Sequence, residues 1–270
     1  MPSVSVRGAA HHYEQRGNGR EAIVFGHGFL FDHRVYDAQI AALSAHHRCV
    51  AFDWRGQGRS EVTATGYDVD ALTEDAAALI EQLSLAPCHF VATSMSGFIG
   101  LRLAIRRPEL VRSLVLLNSS CRGEPWTKLP AQLVLGFGTR LVGARPFAGS
   151  MMSALLSPAF LKNPDRAAER DAWRERFGSV DRAGMYRTLR GVVTRPGDVG
   201  DQLGKVRAPA LVIAGKDDKV FGPDIAGPLA EALPNAELHI LPDVAHCAAL
   251  EQPEVVTRLL TAFFERLAPP

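Results

Sequence analysis

Short apolar runs without polar interruption alternate along most of this chain with longer stretches of helical periodicity. Unbroken apolar runs are typical of strands that are buried on both faces of a parallel sheet. The stretches between them place apolar residues on one side of a helix. This alternation, with short connections, predicts a parallel sheet covered by helices on both faces. The main predicted strands are 22–25, 48–53, 89–93, 111–118, 210–214 and 236–241.

The N-terminal segment 4–13 is predicted to be extended. Arg16-Gly17-Asn18-Gly19 follows it and is a strong turn signal. We therefore expect a hairpin in which this segment returns toward the strand at 22–25.

The alternation breaks after Asn118. From about 122 to 196 the chain carries helical patterns rich in leucine, phenylalanine, methionine and tryptophan, and prolines interrupt them. This segment is too long for a plain loop and too apolar for a disordered linker. We predict a helical cap at 122–196 over the carboxyl edge of the sheet, inserted into a core formed by 1–121 and 197–270. Methionines beside aromatic residues also suit a pocket for an irregular apolar ligand.

Composition narrows the possible partners. The chain has 270 residues, of which 47% are hydrophobic, and a formal net charge of +1. Such a balance gives no electrostatic basis for binding nucleic acid or an anionic membrane surface. The N-terminus lacks a signal-peptide pattern, and no apolar run is long enough to span a bilayer. We expect a cytoplasmic protein with reduced thiols at Cys49, Cys88, Cys121 and Cys247.

A serine stands where a predicted strand gives way at once to a helical pattern. The run 89–93 ends at Ser94, and helical periodicity begins at Met95. On such a turn the serine takes a positive φ, and its hydroxyl is pushed clear of the backbone. The residues two before and two after must be small, and here they are Ala92 and Ser96 instead of glycines. Ser94 is therefore either an exposed nucleophile or a hydroxyl at a helix N-terminus.

A second turn follows the strand at 22–25. Gly28 would let the backbone turn so that the amide of Phe29 points into a cavity. The segment Gly26-His27-Gly28-Phe29 is thus either an oxyanion-binding turn or a plain connection between strand and helix.

The glycines of segment 53–60 raise the possibility of a dinucleotide site. The G-x-G-x-x-G pattern fails, however, because Glu61 stands where the third glycine belongs. We expect no nucleotide cofactor here, and we expect Asp53 and Arg55 to tie the loop together through bonds from side chain to backbone.

Three loops after predicted strands carry a serine, an acid and a histidine, in that order. A serine hydroxyl needs a base within hydrogen-bond reach, and the base needs a third group that fixes its tautomer. His246, in the loop after the last strand, is the candidate base. The acid is Asp217 or Asp218, and periodicity does not choose between adjacent residues. The carboxyl ends of strands are where ligands bind in open α/β sheets.

The remaining histidines give no sequence signature of a metal site. His11-His12 and His46-His47 are adjacent pairs in polar surroundings, and we expect them to be exposed. Neither H-E-x-x-H nor a clustered pattern of histidine and aspartate is present, so no metal is expected.

The order of these features resembles the α/β-hydrolase fold. In that family H-G follows the third strand, the nucleophile elbow the fifth, G-x-x-D the seventh and a histidine the eighth, with a cap inserted after the sixth. His27-Gly28-Phe29, the elbow 92–96, Gly215-Lys216-Asp217-Asp218 and Val244-Ala245-His246 stand in those places. The resemblance covers essentially the whole chain. It implies a mostly parallel eight-stranded sheet with helices on both faces and an inserted helical cap.

The same resemblance implies a role for each site residue. Ser94 would be the nucleophile, Asp218 the acid and His246 the base. The backbone amides of Phe29 and Met95 would form the oxyanion hole. The elbow departs from the family pattern at two positions, because Ala92 and Ser96 stand where the pattern has glycines.

Within the family, a serine at position 94 separates this chain from haloalkane dehalogenases and epoxide hydrolases, which have aspartate there. The segments 27–39 and 53–60 look most like small carboxylesterases and lactonases, including 3-oxoadipate enol-lactonase and the α/β-hydrolase type of acyl-homoserine lactonase. The resemblance implies hydrolysis of a small apolar ester or lactone through an acyl-enzyme, without a cofactor. A metal-dependent lactonase is disfavoured.

Other functions are compatible with the same residues. A C–C bond hydrolase and a cofactor-free perhydrolase use the same triad, with water or peroxide. A ligand-sensing module, in which hydrolysis is slow and incidental, belongs to another class. Turnover distinguishes an enzyme from a sensor.

Overall fold

The computed structural model describes residues 2–123 and 126–267. Its strands are β1 (Ser3–Val6), β2 (Ala9–Arg16), β3 (Ala22–Gly26), β4 (Arg48–Phe52), β5 (Cys88–Thr93), β6 (Val111–Leu117), β7 (Ala210–Gly215) and β8 (Ala236–Leu241). They form one sheet in the order β1-β2-β4-β3-β5-β6-β7-β8. β1 pairs with β2 and β2 with β4 in antiparallel fashion, and the remaining neighbours are parallel. The predicted fold class is confirmed.

The α-helices are α1 (Asp37–Leu43), α2 (Val69–Gln82), α3 (Met95–Arg106), α4 (Leu129–Val142), α5 (Ala148–Leu155), α6 (Pro158–Lys162), α7 (Ala167–Gly178), α8 (Arg182–Thr188), α9 (Pro223–Ala232), α10 (Ala248–Glu251) and α11 (Pro253–Leu267). Short 3₁₀ helices lie at His33–Tyr36, Pro108–Leu110, Trp126–Lys128, Arg145–Phe147, Pro164–Arg166 and Gly200–Lys205, and a π-helix at Leu189–Val193.

The central strands are buried on both faces, which explains why their sequences are continuously apolar. In β3, Val24 packs into one core, whereas Ile23 and Phe25 pack into the other. Helices α2 and α3 contribute side chains to the first core, and α1 and α11 to the second. Because the strands from β3 to β8 are parallel, the turns that follow them meet at one edge of the sheet.

The predicted hairpin between segment 4–13 and the strand at 22–25 is wrong. Arg7 and Gly8 both have positive φ, 48° and 75°, which is the backbone of a tight two-residue turn. β1 therefore pairs with β2, and β2 pairs with β4 instead of β3. The glycines at 17 and 19 serve a different purpose. A Cβ at Gly17 would lie 2.2 Å from the His47 carbonyl oxygen, so this turn passes closely over the segment between α1 and β4.

Among the residues that the structure describes, five α-helices, α4 to α8, lie between β6 and β7, within the predicted cap segment 122–196. They pack on the core through aromatic rings. The ring of Phe31, which follows β3, lies 5.4 Å from Trp173 and 5.1 Å from Phe177, both on α7. Residues 1, 124, 125 and 268–270, which the predicted core and cap include, lie outside the described residues.

Two further expectations concern the whole chain. The cysteines at 49, 88, 121 and 247 are all free and buried. In the described ranges no helix has both the length and the apolar character that crossing a bilayer requires.

Candidate active site

Ser94 lies on a sharp turn between β5 and α3. Its φ and ψ are 51° and −114°, a conformation that non-glycine residues rarely adopt. Such strain persists only where the surroundings hold it. Here the Ser94 amide donates to the Leu117 carbonyl at 2.9 Å, and the Ser119 hydroxyl donates to the Ser94 carbonyl at 2.8 Å. The last residue of β6 and a residue just after it thus fix the elbow on both sides.

Ser96, which stands where the family pattern has glycine, is accommodated by hydrogen bonds. Its hydroxyl donates to the His27 carbonyl and accepts from the indole nitrogen of Trp54 at 2.8 Å. A glycine is required at the next position instead, because a Cβ at Gly97 would lie only 1.8 Å from the Ser119 hydroxyl. The elbow is therefore tight without the usual glycines, and Ser96 ties it to the turn after β3.

The structure brings together the serine, the histidine and one of the two acids. His246 Nε2 lies 2.8 Å from Ser94 Oγ, and His246 Nδ1 lies 2.9 Å from Asp218 Oδ2. All three residues are buried, with exposed fractions of 9% for Ser94, 4% for His246 and 7% for Asp218. The side chains form one continuous hydrogen-bonded chain, in which a proton can pass from the hydroxyl to the imidazole.

Asp218, and not Asp217, contacts the imidazole of His246. Its Oδ1 accepts hydrogen bonds from the amides of Val220 at 2.8 Å and Phe221 at 3.1 Å. Burial raises the pKa of this carboxyl, but the neighbouring His246 and these hydrogen bonds outweigh burial and leave the pKa below its ordinary value. The adjacent Asp217 is exposed. A buried, ionised carboxylate therefore faces the imidazole.

Asn118 is a site residue that the sequence did not single out. It is fully buried, has a φ of 48°, and directly follows β6. Its amide nitrogen donates to Asp218 Oδ2 at 3.0 Å and to the Ala245 carbonyl at 2.8 Å, and its oxygen accepts from the Ala248 amide at 3.0 Å. Asn118 thus links the acid to the loop that carries His246. The available signal was a polar residue at the carboxyl end of an apolar strand.

Glu251 is a second residue that sequence reasoning missed. Its buried carboxylate accepts hydrogen bonds from the amides of Ser157 at 2.7 Å and of Ala245 and Cys247 at 3.1 Å each. Burial outweighs these bonds and raises the pKa of Glu251. The Glu251 carboxylate therefore binds the two amides on either side of His246 and one amide of the inserted segment.

Phe29 and Met95, whose amides were predicted to bind the oxyanion, line the same cavity as Ser94 and His246. The cavity has a volume of about 90 Å³. The Met95 amide is the first of α3 and has no partner within the helix. Leu155 and Val193 from the inserted segment form part of the wall. The cavity lies where the core meets the inserted helices, and apolar side chains form most of its lining.

The loop after β4 is held both by its own residues and by neighbouring segments. Asp53 Oδ1 accepts from the amide of His33 and Oδ2 from the amide of Arg59, each at 2.8 Å. The prediction that Arg55 binds mainly to the backbone of this loop is wrong. Its Nε and one terminal nitrogen each donate a hydrogen bond at 2.9 Å to the Asp75 carboxylate on α2. The glycines at 56 and 58 have positive φ and form turns within this loop.

Comparison with known proteins agrees with this architecture. Residues 21–253 match the family model described as the alpha/beta hydrolase fold. The chain is 30% identical over 268 residues to a protein of Variovorax paradoxus named as a carbamate hydrolase, RutD, covering 96% of this chain and 97% of the relative. It is 31% identical over 245 residues to a protein of Mycobacterium tuberculosis named as a non-heme bromoperoxidase, BpoC, covering 83% and 85%.

Solved structures give the same result. The enol-lactonase of Burkholderia xenovorans superposes with a TM-score of 0.90 at 26% identity, covering 98% of this chain and 100% of that one. Est816, described as an N-acyl homoserine lactone degrading enzyme, gives a TM-score of 0.83 at 25% identity, covering 97% and 100%. With a family model matched over most of its length, the chain belongs to the α/β-hydrolase family.

Proposed function

We propose that this protein hydrolyses carboxylic esters or lactones with small apolar acyl groups through an acyl-enzyme. The observation that carries the proposal is the hydrogen-bonded chain from Asp218 through His246 to the Ser94 hydroxyl, which opens onto an apolar cavity. A serine, a base and an orienting acid in this arrangement are the machinery of acyl transfer.

Each step of the reaction has a named group. Ser94 Oγ attacks the carbonyl carbon while His246 Nε2 takes its proton. The amides of Phe29 and Met95 stabilise the oxyanion, and one such donor contributes on the order of 10²- to 10³-fold in other enzymes. His246 then returns the proton to the leaving alcohol, and water cleaves the acyl-enzyme by the same steps. Asp218 holds the imidazole and stabilises its protonated form.

The volume and the lining of the cavity favour an acyl group that is short and uncharged. Drug-sized pockets measure about 300 to 1,000 Å³, whereas this cavity has about 90 Å³. Its lining is largely apolar, including Phe98 and Phe221. No lysine or arginine is among the described residues that line it, so a carboxylate or a carbamate anion lacks an opposite charge there. We further propose that segment 122–196 acts as a cap that sets the acyl preference through Leu155 and Val193.

The test is a substrate series with the wild-type protein and the Ser94→Ala variant. We expect the highest kcat/KM for p-nitrophenyl acetate or butyrate and for small lactones, with a decline toward octanoate and long-chain acyl-homoserine lactones. Carbamate anions should be poor substrates, because the cavity offers them no opposite charge. Ser94→Ala should keep the fold and lose about 10⁴-fold or more in kcat/KM. Normal activity in the Ser94→Ala variant, or a preference for carbamate anions, would contradict the proposal.

A perhydrolase is the second candidate, because the chain is 31% identical to a relative named as a bromoperoxidase. In that reaction hydrogen peroxide would replace water in cleaving the acyl-enzyme and would release a peracid. Peroxide-dependent bromide oxidation in acetate buffer measures it. A rate above that of ester hydrolysis would favour this candidate, and a single slow cycle on every ester would instead favour a sensor.

A further inference from the structure

A pair of buried histidines lies outside the proposed active site. His12 is on β2 and His33 begins the 3₁₀ helix after β3. They are 4% and 1% exposed, so the prediction that His12 is exposed is wrong, and so is that for the fully buried His11. β2 lies inside the sheet, between β1 and β4.

In each of these two rings one nitrogen makes no hydrogen bond. Neither His12 Nε2 nor His33 Nε2 has a hydrogen bond to any described residue. A buried polar atom without a partner costs free energy, so it calls for an explanation such as a bound ion. The ring centroids are 4.9 Å apart and the rings meet edge to face.

A carboxylate lies near both of these nitrogens. Glu14 Oε1 lies 3.3 Å from His33 Nε2 and 3.8 Å from His12 Nε2. Zinc bonds of about 2.0 to 2.2 Å in a tetrahedral site place neighbouring ligand atoms about 3.4 Å apart. Glu14 Oε1 therefore lies near each of the two nitrogens at about the separation expected between two ligands of one ion.

A second carboxylate orients one of the rings. Asp53 Oδ1 accepts a hydrogen bond from His33 Nδ1 at 2.9 Å, which leaves Nε2 as the free lone pair. Histidine ligands of metals commonly make such a bond with their other nitrogen. His12, His33 and Asp53 also offer ligand atoms that all lie within 4.8 Å of one another.

We infer that His12, His33 and Glu14 bind one divalent transition-metal ion of the zinc class, with Asp53 orienting His33. Two imidazoles and a carboxylate suit Zn²⁺, Co²⁺ or Ni²⁺ better than Mg²⁺ or Ca²⁺. The Glu14 side chain is 37% exposed, which gives the ion a path of entry and leaves a position for water. Arg59 pairs with Glu14 at 3.5 Å, a half-exposed contact that an ion can displace.

The proposed ion would act on structure and not on the reaction. It would join β2 to the segment that begins with the turn containing Phe29 and continues to His33. Neither histidine lines the cavity beside Ser94. The site is therefore independent of the proposed hydrolysis, and its test does not use activity.

The experiment is a Co²⁺ titration of the metal-free full-length protein, followed by displacement with Zn²⁺ and by thermal unfolding. We expect one equivalent to bind with the visible absorption of a four-coordinate site, and Zn²⁺ to raise Tm. Glu14→Gln should weaken binding by about 10- to 100-fold or more, as loss of metal-site carboxylates does elsewhere. His12→Gln should abolish the cobalt spectrum.

The matched control is His239→Gln. His239 lies 3.7 Å from Glu237 on β8 but both are 39% exposed, so its loss should leave binding unchanged. Glu14 is partly exposed, and Glu14→Gln should fold normally. Failure to bind one equivalent, unchanged affinity in Glu14→Gln, or loss of binding in His239→Gln would each overturn the inference.

Discussion

The backbone amide of His246 donates a hydrogen bond to the carbonyl of Leu155, at a distance of 2.9 Å. Leu155 ends helix α5, so the proposed base is held by the inserted segment as well as by the core. The side chain of Leu155 also lines the cavity beside Ser94. A movement of α5 would therefore change the shape of the cavity and the position of the imidazole together.

The two adjacent aspartates should differ sharply in their effect on activity. Asp218→Asn removes the carboxylate that fixes the tautomer of His246, so kcat should fall by about 10⁴-fold. Asp217→Asn changes an exposed side chain and should leave kcat near its wild-type value. Hydrolysis of a p-nitrophenyl ester measures both. The opposite ranking would move the acid to Asp217.

Asp218 should also make stability depend on pH. The pKa of Asp218 in the folded protein lies below its ordinary value of 3.8. Its contribution to the free energy of unfolding is therefore fully present at pH values above that ordinary pKa. It is lost as the pH falls through the lower, folded pKa. In urea unfolding, the difference between Asp217→Asn and Asp218→Asn should therefore shrink on acidification below pH 4. A constant difference would contradict the assigned direction of the pKa shift.

Asn118 should position Asp218 and stabilise the loop of His246. Asn118→Gly keeps the positive φ without strain but removes all three hydrogen bonds of the side chain. We expect the free energy of unfolding to fall by about 2 kcal/mol or more, because buried groups lose their partners. We expect kcat to fall more than KM rises.

Asn118→Ala separates the two contributions at this position. It loses the same bonds and adds backbone strain, so it should be less stable than Asn118→Gly. Equal stability of wild type and Asn118→Gly in chemical unfolding would show that the hydrogen bonds contribute nothing.

Glu251 should hold the loop of His246 against the inserted helices. Glu251→Gln places a donor among amides that need acceptors, so at least one buried amide loses its partner. We expect about 1 to 3 kcal/mol of destabilisation and a lower kcat on the best ester. Glu254→Gln is the matched control, because Glu254 is exposed and lies on the neighbouring helix. Equal effects of both substitutions on Tm and kcat would rule out the positioning role.

The sequence by itself determined the strands of the parallel sheet and the order of the candidate site residues along the chain. Burial on both faces leaves continuous apolar runs such as that of β3, and the elbow at Ser94 requires small neighbours within a few residues. These demands are local, so a single stretch of sequence displays them. The fold class could therefore be predicted, together with the positions of the candidate serine, acid loop and histidine.

Only the tertiary structure decided which polar groups meet. His246 and Ser94 are 152 residues apart, and Asn118 and Asp218 are 100 apart. The choice of Asp218 over Asp217, the roles of Asn118 and Glu251, and the burial of His12 all depend on such distant pairs. A hydrogen bond requires two atoms within about 3 Å of each other, and the folded sheet, not the local pattern of residues, brings them to that distance.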